Sequence, residues 1–130
     1  MHCPAVPVCR SIYGKKKSKA YLFQFSRVPD TARGRKLKAC HGMELGYVFG
    51  TLSKADGYND LDFALSQKMM DYWTNFAKTG NPNGPGLVDW PAYTNESDMN
   101  LEFSDTIHTN KNCFKKECDF IQEQPPYPSR

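Results

Sequence analysis

The stretch Ala39-Cys40-His41-Gly42-Met43-Glu44-Leu45-Gly46-Tyr47-Val48-Phe49-Gly50 decides how this chain is read. A histidine sits directly before a glycine and three residues before a glutamate. Gly42 admits backbone conformations closed to other residues. Glu44 opens a short helical turn and is placed to accept a hydrogen bond from a nearby amide or side chain. The apolar run Tyr47-Val48-Phe49 then ends on Gly50. Alone, a loop histidine of this kind is more often a surface or partly buried structural residue than a reactive one. The segments on either side carry the weight of the reading.

Upstream, Tyr21-Leu22-Phe23-Gln24-Phe25-Ser26-Arg27-Val28 reads as a strand stopped by Pro29-Asp30. Its opening residues are apolar on both faces, which favours a strand covered on both sides, as in an α/β sheet. Residues 30–38, with Gly34 among Arg33, Arg35, Lys36 and Lys38, read as a basic loop. Downstream, Asp56-Gly57-Tyr58-Asn59 is turn chemistry, and a helix is expected from about Leu61 to Lys78. Asn59 or Asp60 can cap its start, and Gly80 with Pro82 can close it. Leu61, Leu65, Met69, Tyr72, Trp73 and Phe76 recur at spacings of three and four and make one broad apolar stripe, read as core packing. Residues 79–86 form an irregular turn, Trp90-Pro91-Ala92-Tyr93 is a short aromatic segment, and Leu101-Glu102-Phe103 reads as a small edge strand. The tail Gln124–Arg130 is expected to be extended or disordered. Asn95-Glu96-Ser97 matches the acceptor pattern for N-glycosylation, which matters only in a secreted parent.

A length of 130 residues suits one domain and not two. Leu, Ile, Val and Phe together are only 24 of the 130, so the aliphatic core is thin. The net charge of +3 is too low for disorder, and an aromatic content of 13% supplies burial that the few aliphatics do not. The basic clusters, Lys15, Lys16, Lys17 and Lys19, then Arg33, Arg35, Lys36 and Lys38, read as solvated surface. Neither carries aromatic platforms or a phosphate-binding motif, so no nucleic-acid partner is expected. No apolar run approaches the roughly 20 residues of a membrane span. The N-terminus, with Pro4 and Pro7 and no basic residue ahead of its apolar part, does not read as a signal peptide. Any secretion signal would belong to a longer parent, and the localisation stays open. The five cysteines stand at 3, 9, 40, 113 and 118, with no C-x-x-C and no zinc-ligand spacing, so neither a metal site nor a cofactor is expected.

In order and spacing, these elements resemble the type B carboxylesterase and cholinesterase family of α/β-hydrolases. The resemblance rests on Tyr21–Phe25, on Ala39–Gly50, and on Leu65-Ser66-Gln67-Lys68-Met69-Met70-Asp71-Tyr72-Trp73-Thr74-Asn75-Phe76-Ala77-Lys78-Thr79-Gly80-Asn81-Pro82-Asn83. It continues through Trp90-Pro91-Ala92-Tyr93 and ends near Glu117–Phe120. It implies the C-terminal portion of an α/β-hydrolase fold: last core strand, histidine loop, long amphipathic helix and small edge strand, in an incomplete sheet. Residues 1–123 would belong to that fold and 124–130 to the tail.

On residues, the resemblance implies that His41 is the general acid and base of a Ser-His-acid triad, with Gly42 and Glu44 supporting its loop. Cys3 and Cys118 resemble the cysteine pair that forms a disulfide in the cholinesterase branch. Cys40 reads as a small, buried filler beside the histidine. The family's nucleophile elbow, G-x-S-x-G, is not matched at any of the eight serines, and neither the triad acid nor the glycine-rich oxyanion segment has a counterpart here. The expected partners are therefore a carboxylic ester substrate and the missing N-terminal part of the same fold, with the chain alone inactive and prone to aggregate. Other readings are a non-catalytic, cholinesterase-like binding or adhesion module, and a truncated gene product, since Met1 stands directly before family-like sequence.

Overall fold

A computed structural model describes residues 18–111, together with residues 116, 119, 120 and 123. Cys3, Cys118, the basic residues 15–17 and the tail from residue 124 lie outside the described residues. The described elements are strand β1 (Phe23–Phe25), helix α1 (Ala32–Leu37), the one-turn helix α2 (Leu45–Val48), a 3-10 turn (Lys54–Asp56), the long helix α3 (Asp60–Thr79), and strands β2 (Met99–Phe103) and β3 (Ile107–Lys111). Strands run in the order β1-β2-β3. β1 and β2 are parallel, with Phe23 opposite Leu101 and Phe25 opposite Phe103, while β3 returns antiparallel to β2.

Helix α3 forms because its start is closed by side chains and its inner face is apolar. Asn59 accepts from the Asp62 amide and Asp62 accepts from the Asn59 amide, a reciprocal cap that satisfies two otherwise orphaned donors. Gly80, in the left-handed conformation, ends the helix by donating its N–H to the Phe76 carbonyl. Leu65, Met69 and Tyr72 are buried against Leu101 and Phe103 of the sheet. The two ends of the expected stripe differ: Leu61 and Phe76 are exposed. Phe76 packs edge-to-face with Tyr21 at 5.9 Å.

The core is aromatic, as the composition suggests. Trp90 sits within 6.1 Å, centroid to centroid, of Tyr21, Phe23, Tyr72, Trp73 and Phe103. Four of these five contacts are edge-to-face, a geometry that contributes about 0.5–1.5 kcal/mol each beyond area burial. Its indole N–H donates to the Leu22 carbonyl at 2.9 Å. The Asn83 side chain clamps its backbone in both directions, which orders the irregular turn after α3.

Three expectations are corrected. The strand expected over Tyr21–Val28 is strand only at Phe23–Phe25, because Ser26 and Arg27 both turn their amides onto the Phe103 carbonyl and leave the ladder. Leu101–Phe103 is not an edge: it is the middle strand of the described sheet, since β3 pairs along its far side. β3 is polar and mostly exposed, so its sequence gives no apolar strand signal. The basic segment 30–38 is helical rather than a loop. Thr31 caps α1 by accepting from the Gly34 amide. Gly34 is required by packing and not for flexibility, since a Cβ there would stand 2.1 Å from the Pro29 carbonyl oxygen.

Candidate active site

The chain leaves β1, passes through α1, and enters the histidine segment. Lys38 ends α1 at a φ of +57°, and the Met43 amide donates to the Cys40 carbonyl, folding residues 40–43 into a turn with His41 exposed within it. Gly42 takes a φ of +83°, where a side chain would cost about 1–2 kcal/mol. Met43 is buried beneath this turn. Cys40 is a free thiol and half-buried, so it is a partial filler rather than a core residue. Glu44 is half-buried, and its carbonyl accepts from the Tyr47 and Val48 amides, each at 3.0 Å. Its carboxylate makes no capping bond.

What anchors the segment is Tyr47. Its ring is fully buried and packs 5.0 Å from that of Phe25. Its hydroxyl donates to Asp62 Oδ1 at 2.8 Å, and its carbonyl accepts from the Ser66 hydroxyl at 2.7 Å. Both partners lie on α3, so the four-residue α2 is bolted to the long helix by one residue at two points. Asp62 Oδ1 also accepts from Arg27 Nε at 2.8 Å, and Asp62 Oδ2 accepts from the Asn59 amide at 3.0 Å. Arg27 reaches on to Asp105, just beyond β2, at 2.7 Å.

The electrostatics follow from this wiring. Burial would push the Asp62 carboxyl upward, but the Arg27 guanidinium, the Asn59 amide and the Tyr47 hydroxyl outweigh it and hold the group below its ordinary value. Burial, with the Asp62 carboxylate beside it, pushes the Tyr47 hydroxyl far up. The Arg27 guanidinium is raised as well, because its bonds to Asp62 and Asp105 exceed the cost of burial. Arg27 and Asp62 are therefore a charged pair with a neutral phenol attached.

Sequence reading missed Arg27, Asp62 and Ser66 as supports of this loop. Asp62 had one legible signal, its place three residues after Asn59 at the helix start. Arg27 had none, since a charge at a strand end is ordinarily solvated. Among the described residues, no group of three or more His, Cys, Asp or Glu side chains is placed to hold a metal ion. No helix among them is long and apolar enough to cross a membrane.

Beside the histidine turn, Leu45 and Phe49 are 53% and 71% exposed. With Phe23, Val48, Met70 and Trp73 they line an open groove of about 570 Å³. Large apolar side chains concentrated on one face are the usual mark of a surface that another element covers.

A family model described as the carboxylesterase family matches residues 1–121. Among curated relatives, mouse (Mus musculus) carboxylesterase 1C is 32% identical over 123 residues, covering 92% of this chain and 22% of that protein. Dog (Canis lupus familiaris) carboxylesterase 5A is 33% identical over 115 residues, covering 82% of this chain and 20% of its own length. A duck (Anas platyrhynchos) protein described as a medium-chain fatty acyl-CoA hydrolase precursor is 43% identical over 76 residues, or 56% of this chain and 14% of that one. The chain thus spans at most about a fifth of the length of these relatives.

Proposed function

Because this chain belongs to the carboxylesterase family, we propose that it is the histidine-bearing C-terminal segment of a serine carboxylic-ester hydrolase. In this reading His41 takes the proton of a serine hydroxyl as that oxygen attacks the ester carbonyl, then returns it to the departing alcohol. Imidazole suits both steps because its ordinary pKa lies near neutrality. The nucleophile, the triad acid and the oxyanion donors come from sequence upstream of these residues. Gly42 and Glu44 position the loop, Gly42 by its positive φ and Glu44 through its carbonyl.

The observation that carries the reading is the mounting of His41. It is exposed on a fixed turn whose base, Tyr47, is tied to a buried charged pair. Arg27, a member of that pair, and Asp105, its second partner, follow the C-terminal ends of the parallel strands β1 and β2. Sites in α/β sheets gather at that end. The apolar groove at Leu45 and Phe49 gives the upstream part of the fold a surface to cover.

The test is ester turnover in two settings. In the protein that includes the upstream sequence, His41→Ala should lower kcat on the order of a million-fold, as loss of a triad member does, with an unchanged circular dichroism spectrum. The 130-residue chain alone should give no turnover. Undiminished activity of the His41→Ala protein, or turnover by the isolated chain that His41→Ala abolishes, would overturn the proposal.

A further inference from the structure

Asn95-Glu96-Ser97 is the single N-x-S/T sequence in the chain, and the fold gives it a specific setting. The three residues form a turn between the aromatic segment and β2, with Asn95 exposed and Ser97 half-buried. Both ends of the turn are pinned. Tyr93 is buried, donates its amide to the Ala20 carbonyl at 2.8 Å, and donates its hydroxyl to Asp98 at 2.7 Å. Asp98 is buried with a φ of +45°, and its amide closes the loop onto the Thr94 carbonyl at 2.9 Å. Inside the turn, the Ser97 amide donates to the Thr94 hydroxyl, which in turn donates to the Ser97 hydroxyl. Asn95 is exposed on this frame, and among the described residues its side chain takes no part in the hydrogen bonds that close it, so an added group there leaves those bonds in place.

Topology places that group away from the histidine. The turn feeds into the N-terminal end of β2, and Tyr93 bonds to Ala20 just ahead of β1. The two strands are parallel, so Asn95 lies at the end of the sheet where both begin. The network that holds the histidine segment lies where both end, at Arg27 and Asp105.

We propose that Asn95 is an acceptor for an N-linked glycan when the chain enters the secretory lumen. The Asn95 amide nitrogen bonds to the anomeric carbon of an oligosaccharide carried on a lipid pyrophosphate. The bond from that carbon to the pyrophosphate oxygen breaks, the lipid pyrophosphate departs with the electron pair, and one amide proton passes to a base of the transferase. In the folded turn the Ser97 hydroxyl is engaged by Thr94, so transfer precedes closure of the turn, and the glycan is carried outward as the turn forms.

The experiment expresses the full chain behind a cleavable secretory leader in eukaryotic cells and follows total product by gel mobility, with and without peptide N-glycosidase. One glycosidase-sensitive shift is expected in the wild type, absent in Asn95→Gln and in Ser97→Ala, and retained in Ser97→Thr. Because total product is read, the outcome does not depend on secretion or on how well a variant folds. Wild-type mobility unchanged by the glycosidase would overturn the proposal, and so would a glycosidase-sensitive Asn95→Gln chain. The readout is independent of ester hydrolysis.

Discussion

Replacing Asp62 with asparagine should release the histidine segment from the rest of the fold. Asp62 is fully buried, and its two oxygens accept from Arg27 Nε, the Tyr47 hydroxyl and the Asn59 amide. Asparagine keeps the shape but turns one acceptor oxygen into a donor facing other donors, and it leaves the Arg27 charge buried without its inner partner. Breaking a buried ion pair from one side costs about 3–5 kcal/mol. Asp105 still holds Arg27, but from an exposed position, so the lower end of that range, about 3 kcal/mol, is expected. Tyr47→Phe removes only one bond to the carboxylate and should cost about 1.5–3 kcal/mol, no more than the asparagine variant. Against a typical domain stability of about 5–15 kcal/mol, both losses are measurable by urea unfolding with Trp73 and Trp90 as fluorescent probes. Hydrogen exchange at the Asn59 and Tyr47 amides gives a local reading that needs no cooperative transition, and protection at both should fall in Asp62→Asn. A cost below about 1 kcal/mol with unchanged exchange at both amides would refute the claim that this carboxylate braces the loop.

The same carboxylate predicts an acid limb of stability. Asp62 and Glu102 are both held below their ordinary values of 3.8 and 4.5, Glu102 chiefly by the Ser26 hydroxyl. A carboxylate with a lowered folded-state pKa stabilises the fold above its unfolded-state value, and that contribution is lost as pH falls through the folded value. The urea midpoint should hold above the ordinary values of 3.8 and 4.5 and drop as pH falls below them, less steeply in Asp62→Asn; a midpoint rising with acid would contradict this. Gly42→Ala should cost about 1–2 kcal/mol from backbone strain alone, because the nearest atom to an added Cβ is 4.0 Å away. Gly42→Asn should recover part of that loss, since asparagine tolerates the left-handed region. Equal urea midpoints for all three residues would show that the positive φ is not needed.

How much of this was legible depended on how local each interaction is. The α3 helix could be read almost to the residue, because its cap, its stripe and its terminating glycine all lie within 22 residues of chain, from Asn59 to Gly80. β2 was found but misplaced, because its neighbour β3 is the polar run Ile107-His108-Thr109-Asn110-Lys111, which resembles a surface loop until it is paired. α1 was hidden behind Gly34, a glycine chosen for its contact with Pro29 rather than for a turn. The brace on the histidine loop joins Arg27 to Asp62 and Asp105, separated by 35 and 78 positions. No window along the chain contains it. Nor did the histidine segment declare itself from its own residues: the ordered resemblance from Tyr21 to Phe120 singled it out, and the family match over residues 1–121 bears out that resemblance.

The brace also accounts for how so short an element can hold a residue in place. A single helical turn such as α2 has little stability of its own. Its rigidity comes from Tyr47, which is fixed to α3 by side chain and backbone together. The groups that fix it do not change charge where an imidazole does: Asp62 is held below the usual carboxylate range, and Arg27 and Tyr47 are pushed above their ordinary values. Between about pH 5 and 8, where histidine is the side chain whose ordinary pKa falls, the brace keeps one protonation state throughout. Under the role proposed for His41, the support of its loop therefore keeps a constant charge. That constancy suits the general acid and base proposed here, and in this chain it is built from residues that no reading of the histidine's own neighbourhood would select.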